Sequence, residues 1–136
     1  MKHSDLRDLP LSVQYLTTPV GSAVGQVENK NVADGARRIL WILTEISLTF
    51  QSRGVDLDCL PQIHAFSIQD GSLLIEWIFD DFRVGFSIEP IPSESSWYLV
   101  SNAKLGDISV AGHISQHESE TQILMSTLLT FIILHV

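Results

Sequence analysis

Between Asp34 and Arg53 apolar residues return every three or four positions. Ala36, Ile39, Leu40, Leu43, Ile46 and Phe50 draw one stripe down a helix. Asn31 or Asp34 can supply the N-cap oxygen, and Gly54 stands where a left-handed residue ends a helix. Trp41, Ile42 and Leu48 fall off the stripe, so this helix has more apolar surface than one sheet face takes up. Further on the period changes to two. Asp70-Gly71 is the dipeptide of a two-residue type I′ hairpin, because both central residues of that turn need positive φ. Such a turn pairs Ile68 with Leu73, Phe66 with Ile75 and His64 with Trp77, all on one side. A second turn at Asp80-Asp81 pairs Phe79 with Phe82, Trp77 with Val84, Ile75 with Phe86 and Leu73 with Ile88. Both turns give the middle strand the same buried face. The other face holds Ala65, Ser67, Leu74, Glu76, Ile78, Arg83, Gly85 and Ser87 and is mixed in polarity. Glu76 and Arg83 are diagonal neighbours there, expected to form a solvated pair worth about a few tenths of a kcal/mol.

A fourth strand, Ser96 to Ser101, sets Trp97 and Leu99 against Tyr98 and Val100, and a fifth is expected from Asp107 to Ser115 after the connection Asn102 to Gly106. From about Gln116 a last helix begins, with Glu118 and Glu120 in its first turn, where negative charge complements the helix dipole. Residues 1–32 read as a weakly structured lead-in. Leu11, Val13 and Tyr15 alternate as a short strand does between Pro10 and Pro19, and Gly21 to Asn31 has the composition of a loop. Residues 33–136 then form a single α+β domain. Its order is an N-terminal helix, an antiparallel meander sheet of four to five strands and a C-terminal helix, with the helices packed on one sheet face.

Composition bounds this picture. A chain of 136 residues, 45% hydrophobic and 18% charged, has apolar material for one core. Its net charge of -8 excludes the basic footprint that nucleic acid or an anionic membrane requires. The apolar run Ile123 to Val136 is too short to span a bilayer and has no Lys or Arg to seat it at an interface. Asp5, Arg7, Asp8 and Pro10 interrupt any leader-like stretch, and one cysteine, Cys59, excludes an intramolecular disulfide, so a cytoplasmic location is expected.

The chemistry-bearing residues form no recognisable site. Cys59, His64, His113 and His117 have the spacing of no closed zinc motif. Asp56 and Asp58 flank Cys59 and disfavour a thiolate. Asp56/Asp58 and Asp80/Asp81 read as turn formers rather than a cation site. No nucleophile elbow, dinucleotide or phosphate-loop pattern occurs, so neither cofactor nor metal is expected. Trp77, Phe79, Phe82, Phe86 and Trp97 lack the interleaved Lys and Arg of a base-stacking sheet. The chain therefore reads as a non-enzymatic protein-interaction module, expected to be a homodimer or to engage another protein. Its interface candidates are Trp41, Ile42 and Leu48 on the first helix with Leu128, Phe131 and Ile132 on the last. Small acidic proteins of this general shape include secretion chaperones, antitoxins and immunity proteins, a likeness of class without a shared motif. The alternative is a small-molecule-binding domain or minor enzyme, with an aromatic pocket between sheet and helices formed by His64, Trp77, Phe86 and Trp97.

Overall fold

The structure, a computed structural model, describes residues 9–101 and 109–136. It contains α1 (Leu11–Val24), α2 (Lys30–Ser52), β1 (Ile63–Ser67), β2 (Leu73–Phe79), β3 (Phe82–Ile88), β4 (Ser96–Ser101), β5 (Ser109–His113) and α3 (Glu118–His135). The strands form one antiparallel meander in the order β1-β2-β3-β4-β5, and the fold is α+β. Residues 1–8 of the expected lead-in, the connection Asn102 to Gly106, and Asp107 and Ile108 of the expected fifth strand lie outside the described residues.

The first correction concerns the lead-in, whose described part from Leu11 to Val24 is a helix belonging to the common core. Val13, Leu16, Val20 and Val24 are buried at spacings of three and four, with Thr17 among them. The strand-like alternation of Leu11, Val13 and Tyr15 covers too few residues to set the period, and Leu11 and Tyr15 turn out to be exposed. Pro19 lies inside this helix, so the Tyr15 carbonyl has no N–H four residues on to receive. Burial against α2 and β1 outweighs that loss.

The second helix begins at Lys30, four residues before its first expected position, because Asn29 supplies the cap: its Oδ1 accepts the Val32 N–H at 3.1 Å. Asn31 instead donates to the Pro90 carbonyl, and Asp34 pairs with Lys30 and Arg37. The other end matches the sequence. Gly54 has φ +82°, its N–H donates to the Gln51 carbonyl, and the Val55 N–H donates to the Phe50 carbonyl, which is a Schellman closure.

All three helices pack on one sheet face, α1 against β1 and α2, and α2 against β3 and α3. Trp77 and Phe86 lie at the centre of that core, fully buried with Ile39, Leu43, Ile75 and Leu129. The β2–β3 register is the one read from the sequence, with Trp77 facing Val84, and Trp97 and Leu99 share one face of β4 as expected; the structure adds the pairing of that strand, Phe86 facing Trp97 and Leu99 facing Val110.

The β1–β2 register is not, and this is the second correction. Ile68 pairs with Ser72 rather than Leu73, since the Ile68 N–H donates to the Ser72 carbonyl at 3.0 Å. The loop has three residues, Gln69, Asp70 and Gly71. The Gly71 N–H closes a turn on the Ile68 carbonyl, and Gly71 itself, at φ +90°, occupies the left-handed position. Asp70 stays out of positive φ and its Oδ1 accepts the Ser72 N–H at 2.9 Å. Asp-Gly serves either turn, and in this one the aspartate carboxylate has the Ser72 N–H as a backbone partner. The one-residue difference turns β1 over. Ile63 and Ala65 face the core, opposite Trp77 and Ile75, while His64 and Phe66 face outward with Ile68 also exposed.

Candidate functional site

Strand pairing aligns His64, Glu76, Gly85, Tyr98 and Ala111 in one row across all five strands, on the face opposite the helices. No helix covers this face among the described residues. An exposed glutamate is what alternation predicts at position 76, yet Glu76 is only 1% exposed. The reason lies at Gly85, directly across from it. Without a side chain at Gly85, the Tyr98 ring can extend over β3 and its hydroxyl donates to Glu76 Oε2. Arg83 closes the other side, donating from Nη2 to Glu76 Oε1 at 2.8 Å. The sequence identifies the Glu76–Arg83 pair, but its solvated character is corrected: the carboxylate is buried under Tyr98 and the pair is charge-assisted. Burial, and then the hydrogen bond to Glu76, push the Tyr98 hydroxyl well above its ordinary pKa. The same carboxylate raises the Arg83 guanidinium.

Beside this polar hub the β1–β2 side of the face is apolar. Phe66 is 41% exposed, Ile68 37% and Ile78 47%, and Leu74 is half-buried among them. The strand residues of the face carry one acidic and one basic side chain, Glu76 and Arg83, which neutralise each other. In a chain of net charge -8 the strand part of this face is neutral, with the Glu89 carboxylate at its edge accepting from the Ser72 and Ser87 hydroxyls.

Of the residues expected to line an aromatic pocket, three share the core side and the fourth does not. Trp77 and Phe86 are fully buried in the core and Trp97 is half-buried on the same side, but His64 stands on the opposite face. Of the expected interface residues, Ile42, Leu128 and Ile132 are buried within the single chain, and Trp41 and Leu48 are half-buried against the same core. Phe131 packs edge-on to Phe82 with ring centres 5.1 Å apart, and His135 stacks on it at 4.1 Å. A second layer does cover the surplus apolar surface of the second helix, and that layer is this chain's own α1 and α3.

Cys59 is exposed in a short turn, its thiol donating to the Asp56 carbonyl. Among the described residues no three His, Cys, Asp or Glu side chains converge to hold a metal ion, and no helix is long and apolar enough to cross a membrane. Compared with protein-family models, with curated proteins and with solved structures, the chain finds no match.

Tyr98 and Gly85 are the residues of this site that the sequence reading passed over. The signal was present: a glycine in mid-strand, flanked across the sheet by a glutamate and a tyrosine.

Proposed function

We propose that this protein is a non-enzymatic protein-interaction module that works as a homodimer, with the open face of the sheet as its contact surface. The observation that carries this reading is the neutrality of the strand part of that face. Two copies of an acidic chain repel each other over most of their surface, and they meet at least electrostatic cost where no net charge is present. Phe66, Ile68 and Ile78 supply apolar area to bury there. Tyr98 and Arg83, residue types that dominate interface energetics, are held in place by Glu76 before contact. A two-fold dimer needs one self-complementary patch, which a single neutral face provides. Cytoplasmic residence belongs to the same proposal and is supported by the single exposed thiol.

Sedimentation equilibrium on the wild type and on the double variant Phe66→Asp, Ile78→Lys tests this. Both positions are exposed, so the fold persists. A wild-type dimer that becomes monomeric in the variant is the expected result. A monomeric wild type at high concentration, or a dimer indifferent to both substitutions, removes this face from the proposal.

A further inference from the structure

Where α2 passes the end of β3, a cavity of about 250 Å³ opens between the helix and the segments that follow β3 and β5. Its floor is Ile39, Ile88 and Ile114, and Arg38, Ser95 and Gln116 stand among its polar lining. We propose that this cavity binds a small organic carboxylate with an aliphatic body. The site is separate from the open sheet face and does not depend on the interaction reading.

Arg38 is the feature that selects the charge. Its Nη2 donates to the Ser115 carbonyl at 2.8 Å and to the buried Thr121 hydroxyl at 2.9 Å. Those two bonds come from outside α2 and fix the guanidinium in position, and they use two of its five N–H donors, leaving three for a ligand. Asp34 also lines the cavity and is the acid of that lining, but its two oxygens are already engaged by Lys30 and Arg37. The first turns of α2 therefore set three cations against one anion, in a chain whose net charge is -8. The isoleucine floor selects the body of the ligand. A sugar or another polyol would leave hydroxyls unpaired against it, whereas an alkyl chain loses nothing there. A cation fixed in advance at the edge of a small apolar cavity fits a carboxylate head on a short alkyl chain.

The test uses the isotope-labelled full chain, titrated in an amide NMR experiment with sodium hexanoate, and with hexylammonium chloride as the probe of equal length and opposite charge. Hexanoate is expected to give saturable shifts centred on Gly35, Ile39, Ile114 and Gln116, and hexylammonium none. Arg38→Gln should weaken hexanoate by about tenfold, the loss expected for one charge-assisted hydrogen bond. Because Arg38 also ties α2 to the start of α3, a second pair of variants is made at the exposed rim. Gln116→Glu should weaken hexanoate about threefold and Gln116→Lys strengthen it by a similar factor, in line with the small energies of exposed charge pairs. Equal response to the two probes, shifts centred elsewhere, or affinity unmoved by the rim charge overturns the proposal.

Discussion

Gly85 faces Glu76 across the β2–β3 pair so closely that a Cβ at Gly85 would stand 2.7 Å from the Glu76 Cβ and 2.4 Å from the Ile75 carbonyl oxygen. The second contact is with backbone, which cannot turn away as a side chain can. Gly85→Ala is therefore expected to destabilise the protein by about 2 kcal/mol or more, at the upper part of the range for overpacking. The chemical unfolding midpoint, measured at constant slope, checks this. A change below about 0.5 kcal/mol would show that β2 and β3 stand further apart than described.

Glu76 holds two donors at once, so removing it strands both. Glu76→Ala is expected to cost about 2 to 3 kcal/mol, moderated because Arg83 is partly exposed and can turn to water. Tyr98→Phe alone should cost about 1 kcal/mol. In a double-mutant cycle the two should couple, so that Tyr98→Phe costs little once Glu76 is gone. Additive losses would mean that the hydroxyl and the carboxylate act independently.

Alkaline pH should report the same contact. Tyr98 has its pKa raised above the ordinary value of 10.0, first by burial and then by the hydrogen bond to Glu76. The folded protein therefore keeps this proton at a pH where the unfolded chain releases it. The resulting contribution to stability is whole below about pH 10 and is lost as pH rises beyond it. Urea unfolding from pH 9 to 11 should show a decline that is shallower in Tyr98→Phe, and parallel curves would refute the assignment.

The β1–β2 loop makes two predictions of different origin. Gly71→Ala has space, its nearest non-neighbouring atom lying at 3.7 Å, so its cost is the left-handed backbone alone, about 1 kcal/mol. Deleting Gln69 would leave a two-residue turn, Asp70-Gly71, with Ile68 still opposite Ser72 and Ser67 opposite Leu73. Every β1–β2 pair is then kept, so Ile63 and Ala65 should stay in the core and thermal unfolding should stay cooperative. Loss of the cooperative transition in the deletion variant would show that the three-residue loop, and not the pairing of the strands, holds β1 in place.

Pro19→Ala tests the first helix. If Leu11–Val24 is a structural helix, the substitution restores an N–H for the Tyr15 carbonyl and should raise the melting temperature, by an amount equivalent to between about 1 and 3 kcal/mol. A loosely ordered segment would give no change.

Much of this fold was legible in the chain because two of its signals are local. The stripe from Ala36 to Phe50 and the alternation of Leu73, Ile75, Trp77 and Phe79 each have one period and one apolar side. The Asp80-Asp81 turn then fixed the β2–β3 register, since a one-residue shift would place either Glu76 or Arg83 beneath the helices. Agreement between the two hairpins on the β2 face did not test β1. That strand has apolar residues on both sides, Ile63 and Ala65 on one and Phe66 on the other, so its sequence is compatible with either orientation.

What the sequence determined by itself was the class of fold, the order of its elements from α2 onward, and the faces of the strands whose two sides differ in polarity. Tertiary structure decided the rest. Whether α1 forms depends on the partners that bury Val13, Leu16 and Val20, since with Pro19 inside it the segment has weak helical preference of its own. Which way β1 faces depends on the hydrogen bond from Ser72 to Asp70 and on the helix above it. That Glu76 is buried on an otherwise open face follows from an empty position one strand away and a tyrosine two strands away. Those are relations between residues distant in sequence, and hydrophobic periodicity, which reads one element at a time, carries no information about them.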